Sequence, residues 1–239
     1  MSEWALKRFW KNVDVTEGEG GYSVTLDGRT VKTPAKQPLM LPSRALADAI
    51  AAEWEAQTEQ VNPQTMPATR GANAAIDKVA VQHAEVADML AAYGDSDLLC
   101  YRAESPESLI QRQADAWDPL LDWAETQFGG RLAVNSGIMH SAQDPILLAT
   151  MTKSVHDMTA FELAAFHDLV SLSGSLVIGF AAARDHAPAE ALWDISRIDE
   201  DWQAEQWGID EEAAEAAGIK RESFLNAKQF FDASRDPIR

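Results

Sequence analysis

The chain has 239 residues, 46% of them apolar, and a formal net charge of −18. That length holds one large domain or two small ones, and the apolar content argues against disorder. A field of that sign repels phosphate backbones and anionic lipid, which ranks nucleic-acid binding and membrane binding low.

The charge is uneven: residues 1–44 carry seven basic and five acidic groups, and the remainder carries 13 and 33. The single cysteine, Cys100, forms no internal disulfide, which suits a reducing compartment. The opening "MSEWALKRFWK" lacks a signal-peptide h-region. Together these predict a cytoplasmic protein.

The first predicted elements are strands. Residues 9–15 read as extended. In "GYSVTLDGRTVKTP", Tyr22, Val24 and Leu26 alternate with Ser23, Thr25 and Asp27, and Asp27-Gly28 is a two-residue hairpin signal. The glycines of "EGEGGY" read as a surface turn without a phosphate role, and "PLMLP" as a short extended piece. Ser43 is the expected N-cap of a helix over residues 44–61, with Leu46, Ala49, Ile50, Glu53, Trp54 and Gln57 at helical spacing. Residues 62–71, rich in Pro, Gly and Thr, read as a linker.

Helices are expected from there on, over about 72–92, 107–128, 144–156, 159–184, 188–206 and 210–230, with a short extended piece at 131–137. Thr159 reads as an N-cap. "DAWDPLLDWAE" puts Trp117, Leu120, Leu121 and Ala124 on a core-facing stripe, so Trp117, Trp123 and Cys100 read as structural. Pro119 is expected in a first helical turn, capped by Asp118 or a neighbour. The apolar run 169–183 is short of the ~20 residues that span a bilayer and is interrupted by Ser171, Ser173, Gly174 and Ser175. It reads as part of one buried central helix, with Gly174 and Gly179 admitting a close neighbour. The predicted class is α+β: a small N-terminal domain with β-hairpin structure, residues 1–70, and a larger all-helical C-terminal domain, residues 71–239.

Motifs for chemistry are sparse. There is no GxxxxGK[ST] loop, no CxxC, no HExxH and no GxSxG elbow, so no nucleotide or metal is expected. The abundant carboxylates keep one enzyme reading open, a hydrolase using an Asp199/Glu200-type pair. The segment "SRIDEDWQAEQWG", residues 196–208, mixes four acids with Trp202 and Trp207. Drawn as one helix from 190 to 207, it sets Leu192, Ser196, Asp199 and Gln203 on one stripe. Trp193, Arg197, Glu200 and Ala204 lie on the next, with Trp207 near it. By periodicity alone it is a core helix, because helices bury their aromatics more often than they expose them.

Four blocks, "RFWKNVDV", "YSVTLDGRTVKTPAKQPLMLPSRALADAIAAEWEAQ", "LLCYRAESPESLIQRQADAWDPLLDWAE" and "SRIDEDWQAEQWG", resemble in order and spacing a known family. These are the assembly chaperones of the F-type ATP synthase catalytic sector that bind its alpha subunit. The resemblance spans nearly the whole chain. It implies a two-domain protein without catalysis or cofactor that holds unassembled alpha subunit and prevents its aggregation until beta replaces it. It also implies a bacterial cytoplasmic member, since "RFWK" begins at Arg8 with no room for the transit peptide of the mitochondrial-matrix relatives. The family's functional acid falls in the last block, where Glu200 is the best match. Asp199, Asp201, Trp202, Glu205, Trp193 and Glu190 complete the expected partner-binding set.

Overall fold

The computed structural model describes residues 7–235. Its chain segregates into two compact units. One holds the described residues up to His83, with Thr159–Ala165 and the described residues from Gln229 onward. The other holds Ala84–Met158 and Phe166–Lys228.

The first unit is built on four antiparallel strands: β1 (Val13–Gly18), β2 (Gly21–Leu26), β3 (Arg29–Thr30) and β4 (Met40–Leu41). β2 is central. It pairs with β1 along its length, with β3 through Thr25↔Thr30 and Leu26↔Arg29, and with β4 through Tyr22↔Leu41 and Ser23↔Met40. The expected hairpin is present: Asp27 and Gly28 take φ of 48° and 77°, the two positive angles a type I′ turn requires. The Asp27 carboxylate accepts the Asn12 and Lys11 backbone N–H groups, which hold its carboxyl below the ordinary range. The 9–15 strand expectation is shifted, since β1 starts at Val13.

Helix α1 (Arg44–Glu55) begins at the predicted cap, where Ser43 Oγ accepts the Leu46 N–H, but it ends at Glu55, short of the expected 61, and Gln57 lies beyond it. α1 packs on β1 and β2, and Leu46, Ala47 and Ile50 join Val24, Leu26, Leu39 and Leu41 in the core. The predicted linker 62–71 is in large part helical: α2 covers Pro67–Ala74. Its start carries no local side-chain cap. Glu53 of α1 supplies one from a distance, accepting the Ala68 and Thr69 N–H groups at 2.6 and 2.8 Å and the Thr69 hydroxyl at 2.6 Å. A π-helical turn (Ala75–Val79) then interrupts the predicted 72–92 helix before α3 (His83–Ala91). At the far end of the chain, Phe230 lies where a Cβ on Gly71 would meet its ring at 2.8 Å, and Ser43 Oγ donates to the Ala233 carbonyl.

The second unit is helical apart from a parallel pair, β5 (Tyr101–Arg102) with β6 (Asn135–Ser136), within the expected extended piece at 131–137. α4 (Glu107–Phe128) buries Trp117, Leu120, Leu121 and Ala124 as its stripe predicts, and Trp117 Nε1 donates to the Ile195 carbonyl at 2.9 Å. Pro119 is in the interior of α4, not in a first turn; the helix runs through it. α5 (Pro145–His156) is capped by Asp144. The single helix predicted over 159–184 is two, α6 (Ala160–Ser173) and α7 (Leu176–Ala183). Gly174 between them has φ of 72°, a left-handed conformation that ends a helix. Thr159 and Glu162 form a capping box at the start of α6. Gly179 is a site of close approach, with Val170 only 2.6 Å from where its Cβ would stand.

Every residue of α7 is buried. Its N-terminus is held by Ser175 and by fully buried Asp97, whose carboxylate accepts the Ser175 hydroxyl at 2.7 Å and the Val177 and Leu99 N–H groups at 3.0 Å. Burial pushes the Asp97 carboxyl up to about 6 against the lowering effect of those hydrogen bonds. Cys100 is buried beside it, its thiol pushed up to about 12 by desolvation and then by the Asp97 charge. The predicted 188–206 helix is also two, α8 (Ala189–Ser196) and α9 (Ile198–Trp207), hinged at Arg197; α10 (Glu211–Ser234) follows. The class is α+β as expected, a small β-hairpin region followed by a larger helical part. Among the described residues no helix is long and apolar enough to cross a membrane.

Candidate functional site

α9 carries three acids in its first turn and buries only Ile198, so nearly all of its side chains are available to line surfaces. A cleft opens on each side of it. The first, ≈ 520 Å³, lies between Asp199, Trp202, Gln203 and Trp207 of α9 and the segment around Tyr101–Arg102 with Leu109, Gln113 and Ile138. The second, ≈ 580 Å³, lies between Trp193, Arg197, Glu200, Asp201, Ala204 and Trp207 and the alanine face of α10, Ala213, Ala214 and Ala217, with Arg221 below.

Five of the seven predicted residues divide between these clefts. The stripe of Trp193, Arg197, Glu200 and Ala204 survives the break at Arg197 and lines the second cleft. Trp193 is buried, the Arg197 guanidinium lies 5.7 Å from its ring centroid, and Arg197 Nη1 pairs with Glu200 at 2.8 Å. Asp201 is exposed in the same cleft, with no ion pair among the described residues. Asp199 faces the first cleft, where Gln113 Nε2 donates to it at 2.6 Å, and half-buried Trp202 is beside it. Gln113 is fixed in turn by accepting the Ala103 N–H at 2.8 Å. Glu205 lines neither cleft; it takes two hydrogen bonds from Arg112 of α4, at 2.9 and 2.8 Å. Glu190 is exposed in the first turn of α8, outside both.

Three large apolar residues at the site were outside the predicted set. Trp207 is 81% exposed and lines both clefts; Ile138, 93% exposed, lines the first and Ile209, 75% exposed, the second. Ile138 is in a loop that is well tethered. The Gly137 N–H donates to the Arg102 carbonyl at 2.8 Å, and His140 bridges Tyr101 Oη at 3.2 Å and Asp95 at 3.3 Å. Trp207 had a sequence signal, since it ends the helix immediately before Gly208. Ile138 had none, because its neighbours in the cleft are remote in sequence.

No group of three or more His, Cys, Asp or Glu side chains is placed to hold a metal among the described residues. Asp199 and Glu200 open onto different clefts, so they do not converge on one scissile bond. What the site offers is aromatic and aliphatic surface rimmed by carboxylates, suited to binding another macromolecule.

The family model described as ATP12 chaperone protein matches residues 7–125. The crystal structure of Atp12 from Paracoccus denitrificans superposes with a TM-score of 0.95 at 46% identity, covering 98% of this chain and 100% of that one. The chain belongs to the ATP12 chaperone family. Atu1473 of Agrobacterium tumefaciens is 42% identical at a TM-score of 0.92, over 96% of this chain and 86% of that one. The mitochondrial protein atp12 of Schizosaccharomyces pombe is 26% identical over 223 residues, 88% of this chain and 77% of that protein. As an ATP12 family member, the chain is a chaperone of ATP synthase assembly. α9 lies beyond the span of the family model but within the full-length likeness to the Paracoccus structure.

Proposed function

We propose that this ATP12-family chaperone binds the unassembled alpha subunit of the ATP synthase catalytic sector, prevents its aggregation, and releases it when beta takes its place. The observation that carries the reading is α9 itself, a helix that buries one residue and shows acids and tryptophans to clefts on both sides. A subunit that exposes surface destined for its neighbour needs a contact that forms fast and lets go. Aromatic anchors supply affinity, and charge supplies steering and specificity. The protein acts without catalysis, nucleotide or cofactor, in the cytoplasm.

The acting acid in this reading is Glu200, exposed in the second cleft and, among the described residues, paired with Arg197 alone. Glu200→Lys leaves the fold intact, because the Glu200 carboxylate is open to solvent and a surface ion pair contributes about 1 kcal/mol or less. It reverses a charge at the contact, which typically costs 2–5 kcal/mol, or roughly 30- to 4,000-fold in affinity. The test mixes the folded variant with aggregation-prone alpha subunit and follows light scattering, with circular dichroism on the chaperone alone. Full suppression of scattering by Glu200→Lys removes this residue from the site. No suppression by the unaltered chain removes the alpha assignment.

A further inference from the structure

We propose that Trp207, Ile138 and Ile209 form one continuous apolar strip across the end of α9, and that its occupant is a partner segment carrying large apolar side chains flanked by lysine or arginine. The inference rests on the reading of α9 as the partner-binding element and names what that element grips.

Large apolar side chains exposed singly are ordinary; three that share two adjoining clefts are a patch. Trp207 lines both clefts, Ile138 joins it in the first and Ile209 in the second, so the strip straddles the helix. It is also a prepared surface, since the tethered loop holds Ile138 out and α9 holds Trp207 at its last residue. Little ordering is needed on binding, and tryptophan is the residue type that most often dominates an interface.

Charge selects the occupant. Residues 194–215 contain nine carboxylates and one arginine. Arg197 is committed to Glu200, and among the described residues Glu205 is the one other acid of this stretch with a cationic partner, Arg112. The field over the strip is therefore negative and favours a basic segment. A second copy of this chain, docking strip to strip, sets carboxylate belt against carboxylate belt and is disfavoured.

The experiment uses the full chain and a fluorescein-labelled amphipathic leucine–lysine peptide, with the leucine–glutamate peptide of the same pattern as control, read by anisotropy. The unaltered chain binds the lysine peptide, more weakly as salt is raised, and does not bind the glutamate peptide. Trp207→Ala keeps its melting temperature, because that side chain is exposed, and binds the lysine peptide about 30-fold more weakly. Ile209→Ser gives a smaller loss in the same direction. Equal binding of the two peptides, or undiminished binding by Trp207→Ala, overturns the proposal. So does a dimer, seen by sedimentation, that Trp207→Ala dissolves. In a parallel arm with alpha subunit, full protection by Trp207→Ala also overturns it. Failure of the unaltered chain to protect alpha, with the Trp207-dependent peptide binding intact, instead removes the alpha assignment and keeps the strip.

Discussion

Replacing Asp97 by asparagine isolates the energetics of a carboxylate that the fold has taken entirely out of water. Burial raises its pKa from 3.8 to about 6, because the hydrogen bonds from Ser175, Val177 and Leu99 do not fully replace hydration of the charge. The folded state therefore binds this proton more tightly than the unfolded state does. The resulting stability is fully present below the unfolded value and is lost as pH rises through about 6, opposite in sign to a salt-bridged surface acid. At about 1.4 kcal/mol per pH unit the loss is about 3 kcal/mol.

Asparagine cannot accept at both oxygen positions, so one donor at the start of α7 faces an amide NH2 group. That costs about 1–3 kcal/mol, but the cost does not vary with pH. Urea unfolding of both proteins between about pH 4 and pH 7 gives the difference curve, from which the chain's other carboxylates cancel. The difference in stability, unaltered minus Asp97→Asn, should fall by about 3 kcal/mol across that range and level off above about pH 7. A difference that rises with pH shows that the three donors and the α7 N-terminus outweigh desolvation, and refutes the argument.

Trp117→Ala removes a fully buried ring and strands the Ile195 carbonyl, and should cost about 3–5 kcal/mol in chemical unfolding; unchanged melting with lost partner binding would mark it as an interface anchor instead. Glu53→Ala removes the side-chain cap that α2 takes from α1, so the start of that helix should lose about 1–3 kcal/mol of local stability. Hydrogen exchange at the Ala68 and Thr69 amides reads this directly, and unchanged protection there rules the cap out.

Elements whose cause is local were legible in the sequence. The Asp27-Gly28 turn, the Ser43 cap and the Thr159 cap each specify their backbone through side chains a few residues away. α2 was not legible, because its cap comes from Glu53 on another helix. The α6–α7 break hid in an apolar run: α7 is buried on every face, so no periodicity marked where one helix stopped. Pro119 misled for the opposite reason, since α4 continues through a residue that usually begins a helix. At the site, the Trp193–Arg197–Glu200 stripe was readable because its spacing spans the hinge at Arg197 without losing phase. The opposite walls, Ala213 and Ala217 on one side and Ile138 on the other, are brought there by tertiary folding alone.

The pairing of the Gly71 backbone with Phe230, and of Ser43 with Ala233, has a consequence for synthesis. Translation delivers the strands and α1 first, yet the unit they belong to takes in residues made more than 140 positions later. A ribosome must therefore carry an unfinished hairpin region through the production of nearly the whole chain. A stop placed just before Gln229 would spare α1 to α9 and still leave the earliest-made part of the protein unsealed.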